Sequence, residues 1–136
     1  MNSELPAAVP EVPVSNIDEA AAYYANCLGF ARDWGDERGG IAGISNGDCR
    51  LFLANSAFRE MRGNSAPVLI WINLNSRDEV DLLHRAWSGN GATIVSAPET
   101  KPWNLHEFTA ADLDGNLLRV FHDLASEIGS SSDRQA

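Results

Sequence analysis

Few side chains in this sequence have a type and spacing that could do chemistry. The histidines are His84, His106 and His122, and the cysteines are Cys27 and Cys49. His84 sits on a helical stripe without the HExxH partner of a zinc protease, so it reads as a surface or boundary side chain. Cys27 and Cys49 have no CxxC spacing and fall at a helix end and on a strand, which suits reduced thiols packed against a core. There is no GxSxG elbow, GxGxxG turn or P-loop, and Gly39-Gly40 alone is too weak a signal for phosphate. No residue is assigned a catalytic role. What remains is aromatic and cationic: Trp34, Trp71, Trp87, Trp103, Phe108, Phe121 and Arg119. These side chains suit stacking and hydrogen bonding to a bound molecule better than bond breaking.

The elements that would position them follow from local pattern. Val9–Val14 is apolar but broken by Pro10 and Pro13, as in an edge strand. Asn16 caps a helix with Asp18 and Glu19 in its first turn, Ala20, Ala21, Tyr24 and Leu28 along one stripe, and Gly29 as its stop. Phe30–Trp34 and Ile41–Ile44 read as strands, and the turn Asn46-Gly47 leads into a strand over Cys49–Ala54. Asn55–Ala66 has no clear period and reads as a connection with room for a short helix. Val68–Leu74 is a strand, and Val80, Leu83 and Trp87 mark a helix over Asp78–Trp87 ended by Gly89 and Gly91. Ala92–Ser96, His106–Ala111 and Leu117–His122 are three further strands, with a loop over Ala97–Pro102. Ser126–Ala136 is a Ser-rich tail.

The order strand, helix, three strands therefore occurs twice. Asp18-Glu19 is echoed by Asp78-Glu79, and Arg50-Leu51-Phe52 by Arg119-Val120-Phe121. Neither half could bury a two-sided sheet alone, so the halves must pack together within the chain or by exchange between chains, and a homodimer is expected. If Asp114-Gly115 is a two-residue turn, His106 lies opposite Asp123, Phe108 opposite Phe121 and Ala110 opposite Arg119. One face then displays His106, Phe108, Arg119 and Phe121. His122 points to the other, where it could not share a metal with His106. By the same register Glu107 faces away, toward a backbone or helix contact.

Charge narrows the functions. With 10 Lys+Arg against 19 Asp+Glu the net charge is -9 at pH 7, and no basic run occurs, which argues against a nucleic-acid partner. No apolar stretch approaches the roughly 20 residues that span a bilayer, and the first residues lack the pattern of an export signal, so no membrane role and a cytoplasmic location are expected. At 44% hydrophobic residues a single folded domain is expected, with residues 8–55 and 67–123 as its halves and 124–136 as a flexible tail.

Two blocks, VPVSNIDEAAAYYANCLGF and PWNLHEFTAADLDGNLLRVFH, together with the two βαβββ units, resemble the glyoxalase, bleomycin resistance protein and extradiol dioxygenase superfamily. The second block is similar to the PWG-x-REF and DPDGN signature of the bleomycin resistance branch, and the likeness runs from Ala8 to His122. The resemblance implies an α+β fold of two curved half-barrel sheets whose concave faces bind a small molecule, commonly in a cleft completed by a domain-swapped dimer. It puts the metal positions of the enzyme members near Val9, Pro67 or Val68, and Arg119. None of these is a ligand, and a permanently charged guanidinium would repel a divalent cation. It places Arg119 on the cavity side and Trp103 at a ligand-stacking position, while Asp36–Gly40 lacks the aromatic residue that the resistance proteins carry there.

The expectation is a metal-free and cofactor-free protein, more binder than enzyme, that sequesters an antibiotic-like molecule at a dimer cleft. Its contacts would be Trp103, His106, Phe108, Arg119, Phe121, Trp34 and Trp71. The acidic balance favours a planar cation, while Arg119 equally suits an anionic or carbonyl oxygen. The alternative is a metal-dependent enzyme with unusual ligands such as Glu11, His106 and Glu107.

Overall fold

In a computed structural model, which describes residues 4–60 and 66–127, the repeat is visible as two four-stranded sheets. The first half runs β1 (Glu11–Pro13), α1 (Ile17–Leu28), β2 (Ala31–Asp36), β3 (Ile41–Asn46) and β4 (Cys49–Ala54), with sheet order β1-β4-β3-β2. A one-turn helix, α2 (Ser56–Arg59), follows. The second half runs β5 (Leu69–Asn73), α3 (Arg77–Gly89), β6 (Thr93–Thr100), β7 (Leu105–Ala111) and β8 (Leu117–Asp123), in order β5-β8-β7-β6. In each half the first strand pairs parallel with the last and the other pairs are antiparallel. This is the expected α+β arrangement of open, curved βαβββ sheets.

Both main helices start as their sequences require. Asn16 Oδ1 accepts from Glu19 N at 2.9 Å and Ser76 Oγ from Glu79 N at 3.1 Å, which satisfies amides that the first turn leaves without partners. Gly29 ends α1 at φ 75°, a conformation that a Cβ would strain. The first hairpin turns tightly, with Asn46 paired to Cys49.

The second hairpin does not. Ala111 pairs with Leu117, so the connection spans five residues from Asp112 to Asn116 rather than two. Its geometry is held from inside the loop. Asp112 Oδ1 accepts from the amides of Asp114 at 2.8 Å and Asn116 at 2.9 Å, and Asp112 N donates to Asn116 O at 2.9 Å. An aspartate that captures nearby amides builds a wider loop than the dipeptide Asp-Gly suggests. Strand β6 also runs four residues beyond the expected Ser96, through two register shifts, and absorbs most of the anticipated loop. Residues 124–127 form a helical turn, and the rest of the segment expected as a tail lies outside the described residues.

One core joins the halves. Ile17, Tyr24, Leu28, Leu51 and Leu53 of the first half and Val80, Trp87, Phe108, Leu118 and Val120 of the second belong to one buried cluster. The polar seam beside it is the same Asp112–Asn116 loop. Tyr24 Oη donates to Asp112 Oδ2 at 2.8 Å, and Asn116 Nδ2 donates to Pro13 O at 2.8 Å and to Asp112 Oδ2 at 2.9 Å. Asn116 Oδ1 accepts from Val68 N at 2.9 Å, and Ser15 bonds Asp114 through N and Oγ. Burial and the adjacent Asp112 carboxylate push the Tyr24 phenol well above its ordinary value, which keeps it a donor. Cys27 and Cys49 are free and half-buried, and burial raises the Cys49 thiol. Among the described residues no helix is long and apolar enough to cross a membrane.

Candidate functional site

Each sheet buries one face under its helix and leaves the other open. On β8 the residues Leu118, Val120 and His122 are buried toward α3, so Leu117, Arg119, Phe121 and Asp123 alternate onto the open face. Trp71 of β5 is the Cα partner of Arg119, and Thr109 and Glu107 of β7 are the partners of Arg119 and Phe121. The open face of the second half therefore gathers Trp71, Arg119, Phe121, Thr109 and Glu107.

These side chains contact one another. The Trp71 and Phe121 rings meet edge to face with centres 5.5 Å apart, and the Arg119 guanidinium carbon lies 5.0 Å from the Trp71 ring centre. Arg119 Nε donates to Thr109 Oγ1 at 3.1 Å and lies 3.9 Å from Glu107 Oε1. Trp103, in the loop before β7, folds back so that its Nε1 donates to Glu107 Oε2 at 3.3 Å, while the Lys101 ammonium sits 5.9 Å from its ring centre. Trp71 is 47% exposed and Trp103 57%, so much of this aromatic surface is without cover in the single chain. The cluster offers flat walls, one guanidinium and one carboxylate already engaged by its neighbours.

The open face of the first half has a related pattern. Glu11, Phe52, Gly43 and Trp34 form a row across β1, β4, β3 and β2. Trp34 meets Phe52 edge to face at 5.2 Å, and the Arg50 guanidinium carbon lies 5.8 Å from the Phe52 ring centre. Gly43 is required here: a Cβ would come within 2.3 Å of Trp34 Nε1, so only glycine lets the indole lie flat on the sheet.

Two expected contacts are corrected. The five-residue connection shifts the hairpin register by one, so His106 pairs with His122 and Phe108 with Val120, and both turn to the α3 side. Phe108 is fully buried, with its ring 5.3 Å from His84 and 5.6 Å from Trp87. His106 ties β7 to its neighbours, with Nε2 2.8 Å from Asp81 Oδ1 and Nδ1 2.9 Å from Thr100 Oγ1. Asp81 Oδ1 and Thr100 Oγ1 thus hold both ring nitrogens of His106 on the α3 side. His106 and His122 therefore share a face instead of opposing each other. His122 donates from Nδ1 to Leu74 O at 3.1 Å, and its Nε2 lies 3.1 Å from Glu127 Oε1. Glu107 and Thr109 take the places on the open face that the sequence assigned to His106 and Phe108. Trp34, Trp71, Trp103, Arg119 and Phe121 stand on open faces, divided between the two halves.

A metal does not fit this face. Arg119 fills it with a fixed positive charge, and His106 and Glu107 point to opposite sides of β7, so the alternative set of Glu11, His106 and Glu107 cannot converge. Among the described residues no three His, Cys, Asp or Glu side chains are placed to hold an ion. Away from both open faces, a groove of about 460 Å³ lies between the halves beside α3, lined by Phe30, Cys49, Ile72, Leu83 and Trp87 among others.

Phe52, Thr109 and Gly43 were not among the residues expected at the site, and Glu107 was expected there only as a ligand of the alternative metal set. The internal repeat carried a signal for one of them, because Phe52 stands in Arg50-Leu51-Phe52 where Phe121 stands in Arg119-Val120-Phe121.

Paired βαβββ halves, each with a helix on one face and an open surface on the other, define a fold class by their architecture. The chain belongs to the glyoxalase/bleomycin resistance protein/dioxygenase superfamily, whose sequence profile matches residues 7–120. A glyoxalase/bleomycin resistance protein/dioxygenase from Nocardioides superposes with a TM-score of 0.72 at 18% identity, covering 90% of this chain and 87% of the other. The bleomycin-binding protein of Streptomyces verticillus, solved with copper(II)-bleomycin, gives 0.66 at 24% identity over 88% and 97% of the two chains. A glyoxalase-related enzyme from Fulvimarina pelagi gives 0.69 at 15% identity over 88% and 89%. These likenesses show the fold, and they include both a binding protein and an enzyme. No curated protein matches the sequence.

Proposed function

We propose that this protein is a metal-free binder of the bleomycin resistance type, which sequesters a flat, antibiotic-like natural product by stoichiometric capture. The observation that carries this proposal is the open face of the second half, where the Trp71 ring lies against both Arg119 and Phe121 and Trp103 bonds the neighbouring Glu107. Half-exposed tryptophans, Trp71 on its strand and Trp103 in the loop beside it, offer a large stacking area at little entropic cost. Among the described residues no three His, Cys, Asp or Glu side chains near them are placed to hold an ion. The open face of the first half, with Trp34 and Phe52, supplies a second aromatic wall, and a homodimer that brings the two kinds of face together would enclose the ligand between them.

Titration with glycopeptide and quinone antibiotics, followed by tryptophan fluorescence, is expected to show saturable quenching that Trp103→Ala weakens. No quenching by any compound would count against capture. Elemental analysis supplies the opposing test, because a stoichiometric divalent metal removed only by chelator would place the protein among the metalloenzymes instead.

A further inference from the structure

We propose that Arg119 is the specificity-determining residue of the open face, and that it selects ligands carrying an oxyanion, such as a carboxylate or phenolate, on a flat aromatic ring. This deepens the proposed function and rests on it. A guanidinium has five N–H donors in one plane, and only the Nε edge of Arg119 is engaged. Nε donates to Thr109 Oγ1 at 3.1 Å and lies 3.9 Å from Glu107 Oε1, and the guanidinium carbon lies 5.0 Å from the Trp71 ring centre. Among the described residues every polar contact of Arg119 runs through Nε, which leaves the Nη1 and Nη2 fork on the open face without an acceptor.

That fork is oriented before any ligand arrives. The Thr109 bond and the Trp71 ring already restrict a side chain that would otherwise lose much rotamer freedom on binding, so a bidentate contact to an oxyanion costs little entropy. Trp71 and Phe121, edge to face at 5.5 Å, form the wall on which an attached ring would rest. The carboxylate that would attract a cation is taken: Glu107 is 4% exposed, accepts from Trp103 Nε1 through Oε2, and turns Oε1 toward Arg119. A cation would have to dismantle these contacts, whereas an anion meets donors with nothing else to bind. The net charge of -9 spreads over the molecule and is screened within about 10 Å at moderate salt, so this local arrangement decides.

Three probes that share one ring test the proposal by isothermal titration of the intact protein: 2-naphthoate, 2-naphthamide and 2-naphthylmethylammonium. Naphthoate is expected to bind at least about 10-fold more tightly than the amide, and the ammonium more weakly than the amide. Arg119→Gln should abolish the preference for naphthoate over the amide. Thr109→Val, which releases Nε, should reduce the preference several-fold, and it serves if the first variant does not fold. Equal affinities for naphthoate and amide, a preference for the ammonium, or a preference that survives in the folded variants would overturn the role of Arg119 while leaving capture of flat molecules standing. No binding of any of the three probes would overturn both.

Discussion

At the scale of single residues, what a side chain does here follows from the face it is on. Arg119 and Val120 are neighbours in sequence, yet one stacks on Trp71 and the other lies in the core. Gly43 gives the sharpest consequence, because the Trp34 indole occupies the space of its missing Cβ. Gly43→Ala is expected to push the indole off the sheet at a cost of about 1–3 kcal/mol, read as a lowered denaturation midpoint with a red-shifted tryptophan emission. An unchanged midpoint would mean that the sheet yields instead. Tyr24 makes a second prediction. Its phenol is raised in the folded chain, so the folded state holds a proton that the unfolded chain releases near pH 10. The contribution is complete below that pH and declines as pH rises beyond it, and the raised Cys49 thiol acts in the same direction from about pH 8.5. Stability should therefore fall from about pH 9 upward. Tyr24→Phe should be less stable by about 1–3 kcal/mol at neutral pH, because Asp112 loses its buried donor, and its alkaline decline should be shallower.

At the scale of elements, local signals were read well where the backbone alone decides and poorly where a side chain intervenes. Asn16, Gly29 and the Asn46-Gly47 turn are short-range devices, and both main helices and the first hairpin lie where these place them. Asn16→Ala and Ser76→Ala should each cost about 1 kcal/mol, measurable by denaturant unfolding. The second hairpin departs from its Asp-Gly signal because Asp112 captures the amides of Asp114 and Asn116, which widens the loop and moves the register by one residue. In a strand that slip exchanges every inward side chain for an outward one. His106 and Phe108 thereby passed to the helix side, and Glu107 and Thr109 came to the open face. Phe108→Ala is accordingly expected to destabilise the fold by about 3–5 kcal/mol, as removal of a fully buried ring would. Loss of ligand binding without loss of stability in that variant would contradict its burial.

At the scale of the whole molecule, the Asp112–Asn116 loop joins what the repeat divides. Its buried polar groups bond Tyr24, Pro13 and Val68, so one short segment holds both halves against each other while their helices share a core. Asn116→Ala should lower stability more than a surface substitution does, since it frees Val68 N and Pro13 O together, and the loss should appear as a lower midpoint of thermal unfolding. With the helices packed inside the chain, both aromatic faces remain open, and sedimentation is expected to show a dimer that a charge at Trp71, as in Trp71→Glu, dissociates; a monomer at every concentration would refute that assembly. The duplicated βαβββ order and the positions of both main helices were determined by the sequence itself, because periodicity and caps act over a few residues, and two motif blocks carried the family. Only the tertiary structure decided which face each strand residue occupies, that Glu107 is already committed to Trp103 and Arg119, and that the Asp112–Asn116 loop holds the halves together. Those outcomes depend on hydrogen bonds between segments far apart in the chain, and no local pattern records them.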